Sequence, residues 1–409
     1  MLRGGLSRRL LRVAAATSSR CSRQQTRLMS KTAIKVERAT DFERVFDGSD
    51  RYAAVEGRGF IEVSGSDATE FLQGMQCNHM PQIEQGGPGM LTGFLTPQGR
   101  MMADAFVYPR NVGVNFPHPA YLIEVDARVH MYVQRMLDFY KLRAKVNICD
   151  ATSQYAVWSV WGPRSMELVG GSGRVLGHVP RGGLVFKGDE TAVADVWAVD
   201  RRAPDMGLRL VVKCDKGSGK GLQMPAGFEQ RDGTEYRLRR ILKGVAEGAD
   251  DFVKGVAVAL ETNLDYMRGV HFGKGCYVGQ ELTIRTHHRG VVRKRVVPVL
   301  FGRDGDGTRN PLQVDYTWEP AIARQADITR VVGDSEIPKR ERRIPPGKVG
   351  STAFNAGLAL MRLEQVEQYA AQQQADGGEG RIAFKVRCED NQQVFVSPWS
   401  PSWWPDGAH

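Results

Sequence analysis

The hydrophobic positions along this chain change period several times, and the changes mark out its elements. Residues 52–61 run as a strand, after which Ala68, Phe71, Leu72 and Met75 recur at helical spacing. Residues 91–95 and 101–108, joined by Thr96-Pro97-Gln98-Gly99, read as a hairpin. Further strands are predicted at 121–125, 145–149, 155–161 and 193–199, with helices over 127–141 and after Gly162-Pro163. Residues 235–246 form a helix that turns Tyr236, Leu238, Ile241 and Leu242 inward and leaves Arg237, Arg239, Arg240 and Lys243 on a solvated face. Past the strand at 296–301 the periodicity fades. Residues 302–347, rich in Asp, Arg, Gly and Pro, read as a long, partly mobile insertion. Short strands at 348–351, 356–363, 381–388 and 393–396 then have the pattern of a small β-barrel, and Trp399, Trp403 and Trp404 read as a clamp over it.

One stretch, residues 271–295, is unlike the rest. Gly273, Gly275 and Gly279 surround Cys276, so the backbone there is expected to adopt positive φ and approach a ligand closely. Leu282, Ile284 and Thr286 then alternate with Thr283, Arg285 and His287, which predicts a half-buried strand with a basic, imidazole-bearing face. Lys274 before the thiol and Arg285, His287, His288 and Arg289 after it would favour the thiolate, the form that attacks electrophiles and binds metal. A buried structural cysteine beside a solvated basic strand fits the same residues.

Charge sharpens the picture once it is located. Residues 1–36 hold nine arginines and lysines and no carboxylate, so nearly all of the formal +10 belongs to them and the body is close to neutral. That removes the electrostatic case for a nucleic-acid partner. The same stretch is Ser-rich, with Leu2, Leu6, Leu10 and Leu11 able to form an apolar stripe, the composition of a mitochondrial transit peptide. No apolar run is long enough to cross a bilayer, so a matrix protein without a membrane partner is expected. The six cysteines, Cys21, Cys77, Cys149, Cys214, Cys276 and Cys388, include no CxxC pair, so neither a zinc knuckle nor a self-contained cluster loop is written here. The glycines at 171, 173 and 177 have the wrong spacing for a dinucleotide loop and read as a surface turn.

Lys274-Gly275-Cys276-Tyr277-Val278-Gly279-Gln280-Glu281 resembles the KGC[YF]xGQE signature of the folate-binding proteins related to the glycine-cleavage aminomethyltransferase. Residues 282–295 are similar to the mitochondrial iron–sulfur cluster assembly branch of that family. The likeness extends to Phe71-Leu72-Gln73-Gly74, residues 95–100 and 122–126, Lys141-Leu142-Arg143, Trp161-Gly162-Pro163, Asp200 with Arg202-Ala203-Pro204, residues 357–363 and Trp403-Trp404-Pro405. Departures are Cys77-Asn78-His79 at the end of the first helix and Ala103-Asp104, which keeps half of an acidic pair that handles the folate-borne amine in the aminomethyltransferases.

The resemblance implies an α+β, aminomethyltransferase-like fold of three lobes around a central cavity, closed by a C-terminal β-barrel. It implies a transit peptide at 1–36, a two-lobed folate-binding region at 45–280 and a barrel region at 281–409 that carries the 302–347 insertion. The implied function is late assembly of [4Fe-4S] centres for matrix enzymes of the aconitase and lipoyl synthase type. Cys276, with His287 or His288 as a further metal ligand, would share a cluster bridged to an A-type scaffold protein. Asp104, Asn263 and Arg285 would line a cavity for tetrahydrofolate. The competing reading is a tetrahydrofolate-dependent aminomethyl or one-carbon transferase.

Overall fold

The computed structural model describes residues 48–110, 117–169, 184–185, 192–214, 222, 224–303, 314–332, 335–336, 345–374 and 382–405. The segment read as a transit peptide and the glycine string near 171 lie outside them. The chain starts with β1 (Arg51–Ala54), β2 (Arg58–Ser64), α1 (Ala68–Met75), β3 (Met90–Leu95), β4 (Met101–Pro109) and β5 (Ala120–Asp126). Next come α2 (His130–Tyr140), β6 (Asn147–Asp150), β7 (Tyr155–Trp161), β8 (Leu184–Val185), β9 (Ala192–Ala194), β10 (Val196–Val199), β11 (Leu208–Lys213) and β12 (Glu229–Arg231). They are followed by α3 (Gly233–Leu242), α4 (Gly248–Asp251), α5 (Gln280–Arg289), β13 (Lys294–Gly302), β14 (Asp327–Val332) and β15 (Ser335–Glu336). The last elements are β16 (Gly347–Ala353), β17 (Ala356–Arg362), α6 (Leu363–Gln374), β18 (Ile382–Arg387) and β19 (Gln393–Pro398).

These strands make three principal sheets. The first has the order β3-β4-β5-β2-β6, all antiparallel. Alternation gives it two apolar faces: Ile61, Val63, Ala105, Ile123 and Val125 meet Leu72 and Met75 of α1 and Val133 and Leu137 of α2 on one side. Phe60, Phe106, Tyr108 and Leu122 point the other way, into a core shared with the rest of the molecule. The second sheet, β10-β11-β7-β1-β12, is antiparallel except for its parallel β1–β12 edge.

The third sheet closes on itself. Its order is β14-β16-β17-β13-β19-β18, and β18 pairs back with β14, which makes a six-stranded barrel with β15 as an outlying hairpin. Val297, Val299, Phe301, Ile328, Val349, Met361, Phe384 and Val396 fill it, and Val366 and Tyr369 of α6 join the same core. Residues 327–332 therefore correct the reading of 302–347 as an insertion, because Thr329 to Val331 register against residues 383–385 as a stave of the barrel. Trp404 packs into this core and against Tyr266, and Trp403 Nε1 donates to the Lys243 carbonyl at 2.8 Å, so the C-terminal tryptophans clamp their own chain.

Buried charge laces the three sheets together. Glu124 of β5 accepts from Arg58 of β2 (2.5 Å) and from Arg209 of β11 (2.5 Å). Arg209 and Arg202 reach Glu247 and the Tyr236 hydroxyl, while Arg202 also holds Asp200 (2.6 Å). Asp251 accepts from Arg240 (2.8 Å) and, on the barrel side, from the Ser351 amide (2.8 Å). Burial raises the cost of the Glu124 charge, but Arg209 and Arg58 overcome it and hold the carboxyl at about 2. The predicted solvated face of α3 is corrected here: Arg239 and Arg240 are buried, because Asp251 and the Asp205 carbonyl receive them.

Candidate functional site

The signature loop is pinned from two sides by backbone contact. Gly279 is the N-cap of α5 with φ +77°, and a Cβ there would lie 2.2 Å from the Thr96 carbonyl oxygen. A Cβ on Gly99 (φ +79°) would likewise meet Leu282 Cβ at 2.5 Å and the Gly279 oxygen at 2.8 Å. The turn at 96–99 and the start of α5 fit only as two facing glycines. By contrast, Gly273 and Gly275 have no positive φ, and a Cβ on Gly275 would meet nothing within 4 Å. The expectation of positive φ thus holds at Gly279 alone.

Beneath the loop lies α1. The Lys274 ammonium donates to the carbonyls of Gln73 (2.6 Å), Gln76 (2.6 Å) and Asn78 (2.8 Å), at and just past the C-terminal end of α1. There the unsatisfied carbonyls and the negative end of the helix dipole favour a cation. Burial lowers its pKa to about 8, and the Tyr277 ring lies 4.8 Å from the nitrogen. The charge therefore faces inward, toward the buried Cys77, whose thiol burial pushes up to about 12. This corrects the reading of Lys274 as a cation beside Cys276. Tyr277 is buried, the Val278 amide donates to the Gly74 carbonyl (3.0 Å) and Gln280 Oε1 accepts from the Tyr277 amide (3.3 Å). Cys276, between these anchors, is exposed and carries a free thiol.

The basic stretch after the loop is helix α5, not the predicted strand. Thr283 is buried and Leu282 faces the Gly99 turn, while Glu281, Arg285, His288 and Arg289 point outward. The His287 ring lies flat on Phe272, with centroids 3.6 Å apart and planes 10° from parallel, and His288 meets its edge at 5.0 Å. On the loop's other side His271 stacks on His79 at 4.9 Å. Among the described residues no group of three or more His, Cys, Asp or Glu is placed to hold a metal ion.

Asp104, Asn263 and Arg285 make no hydrogen bond or ion pair with one another. Asp104 is 1% exposed; its Oδ1 accepts from the Gly248 amide (3.0 Å) and its Oδ2 stands 3.7 Å from Arg58 Nη2. Burial raises its pKa against the pull of Arg58. Asn263, fully buried at φ +61°, donates to the Val296 carbonyl (2.6 Å), whereas Arg285 is exposed on α5. A cavity of about 1000 Å³ lies elsewhere, bounded by Trp161, Asp200, Ala203, Arg239, Tyr266 and Trp403 among others. Three sequence blocks, at 161–163, 200–204 and 403–405, meet on its wall. Their spacing along the chain gives no hint of this, because the sheet and the C-terminal clamp bring them together.

Comparison with known proteins agrees with this architecture. Residues 54–173 match the GCVT N-terminal domain and residues 293–406 match the CAF17 C-terminal beta-barrel domain. The crystal structure of the glycine cleavage system aminomethyltransferase T from Bartonella henselae superposes with a TM-score of 0.58 over 89% of each chain at 11% identity, a likeness of fold alone. The iron-sulfur cluster assembly factor IBA57 homolog, mitochondrial, of Mycosarcoma maydis is 36% identical, across 87% of this chain and 85% of its own length. Its counterpart in Neurospora crassa is 34% identical, across 84% of this chain and 74% of its own. With that coverage and these two domains, the chain belongs to the family of the mitochondrial iron-sulfur cluster assembly factor IBA57 homologues.

Proposed function

We propose that this chain works late in mitochondrial iron–sulfur cluster assembly, supplying Cys276 as one ligand of a cluster bridged to an A-type scaffold protein. The cluster is cargo, destined for [4Fe-4S] enzymes of the aconitase and lipoyl synthase type in the matrix. The observation that carries this reading is an exposed thiol on a firmly anchored loop with no companion ligand set among the described residues. A cluster takes about four protein ligands. One soft thiolate from here and the remainder from the partner make a complete but divisible set, which suits transfer. Residues 1–36 would act as the matrix address, 45–280 as the two-lobed region and 281–409 as the barrel region. His287, laid flat on Phe272, is the less available of the two imidazoles proposed as an added ligand, so His288 is the better candidate.

The alternative, an aminomethyl or one-carbon transfer on tetrahydrofolate, needs a carboxylate that meets substrate. Asp104 is sealed between Gly248 and Arg58 and does not reach the cavity wall. Anaerobic copurification with an A-type scaffold, followed by visible absorption, tests the proposal. Wild type should hold a shared cluster, and Cys276→Ser should stay folded but lose it, together with rescue of aconitase activity in cells lacking the protein. A normal cluster and full rescue with Cys276→Ser would sink the reading.

A further inference from the structure

Several arginines of the body are paired with carboxylates, whereas those on α5 are not. Arg51, Arg58, Arg128, Arg202, Arg209, Arg240 and Arg295 each have a carboxylate within 4 Å. Arg285, Arg289 and Arg293 are exposed and have no such partner among the described residues. Arg285 and Arg289 are one helical turn apart on the outward side of α5, with His288 between them, and Arg293 continues beyond the cap at Gly290. Val291, 73% exposed, adds an apolar surface beside them.

The helix dipole accounts for part of this run, since His287, His288 and Arg289 occupy the last turn where cations are favoured. It does not account for Arg285 in mid-helix or Arg293 outside it. Nor does solubility, because the chain beyond residue 36 is close to neutral overall. The position is informative. The Cys276 loop leads straight into the first turn of α5, and Phe272 of the same loop lies on His287 of its last turn, so helix and thiol share one surface. Glu281 lies on the same helix, and Glu261 faces Lys294 and Arg100.

We infer that the Arg285, Arg289 and Arg293 ridge is the docking surface for an acidic face of the protein that carries the cluster. The inference rests on the proposed role of Cys276 and names the chemistry of its partner. The carrier's remaining thiolates, about three, still outweigh the charge of about +2 on an iron–sulfur core, so the carrier approaches with an anionic centre whose attraction to this ridge orients the thiol toward it. Val291 supplies apolar contact within the charged rim.

The test uses the full-length protein and an A-type scaffold in its apo and cluster-loaded forms, with association measured at about 50 and 300 mM salt, where screening lengths differ more than twofold. Replacing all three arginines by glutamate should weaken association about tenfold or more at the lower salt and abolish its salt dependence. Replacing all three by lysine should keep both, and circular dichroism should match wild type in each case. Unchanged affinity and salt slope in the glutamate variant would overturn the inference, as would wild-type association that ignores salt or is absent. Cys276→Ser separates the two ideas. If it binds the apo scaffold as wild type does yet holds no cluster, both stand. If the glutamate variant loses association while Cys276→Ser still shares a cluster, the ridge stands and the ligand role falls.

Discussion

Among the described residues Cys77 and Cys388 are buried, whereas Cys149, Cys214 and Cys276 are exposed. Exposure alone does not single out Cys276; what does is the set of contacts that hold its loop. Of the other four, only the buried Cys77 and Cys388 are packed as structural residues. Cys77→Ser should destabilise the protein by about 1–3 kcal/mol, because a hydroxyl replaces a fully buried thiol beside Tyr277. Cys149→Ser should stay within about 0.5 kcal/mol, and denaturant midpoints compare the two. Lys274 gives a second test. Its pKa, lowered to about 8 by burial, lies below the ordinary lysine value, so above pH 8 the folded chain binds fewer protons here than the unfolded chain. Wild type should gain stability relative to Lys274→Met as pH rises from about 8 toward 10, the window set by the folded value and the ordinary lysine value. Parallel denaturation curves across that range would remove the buried ammonium from the account.

At the scale of elements, α5 shows where the sequence misleads. Thr283, Ile284 and Thr286 are β-branched, and Leu282, Ile284 and Thr286 alternate, which is a strand pattern. The inward set is Leu282, Thr283 and Thr286, a helical spacing that the same residues also satisfy. Gly279 as cap, Glu281 in the first turn and three basic residues in the last were the available helix signals. The hairpin at 91–108 was legible because its turn chemistry and alternation agree, whereas α6 and β14 were not, since their apolar faces have meaning only against the barrel. Gly279→Ala is the sharpest test of how the 96–99 turn holds the loop. Its left-handed backbone costs a non-glycine residue about 1–2 kcal/mol before the contact with Thr96 is counted. The expected outcome is a lower melting temperature together with faster alkylation of Cys276, as the loop lifts from the 96–99 turn.

For the whole molecule, the decisive feature is the charge network that joins the sheets. Composition shows that arginines and carboxylates are present, but which of them meet depends on strands as distant as β5 and β11. Glu124→Gln should cost about 3–5 kcal/mol, because Arg58 and Arg209 would be left buried with one charge too few. The loss should appear in wild type too as pH falls from the ordinary glutamate value toward about 2, when this carboxyl gains its proton. Calorimetry should show the three sheets melting together in wild type and separating in the variant.

The closed barrel carries a consequence for how the chain is made. Its ring is completed only by β18 and β19, within the last 28 residues of the 409. A ribosome that stops before Ile382 would release four strands in the order β14-β16-β17-β13, with one flank of β14 and one of β13 bare. Unpaired strand edges recruit other chains. A premature stop there would produce a sticky protein rather than a slightly shorter one.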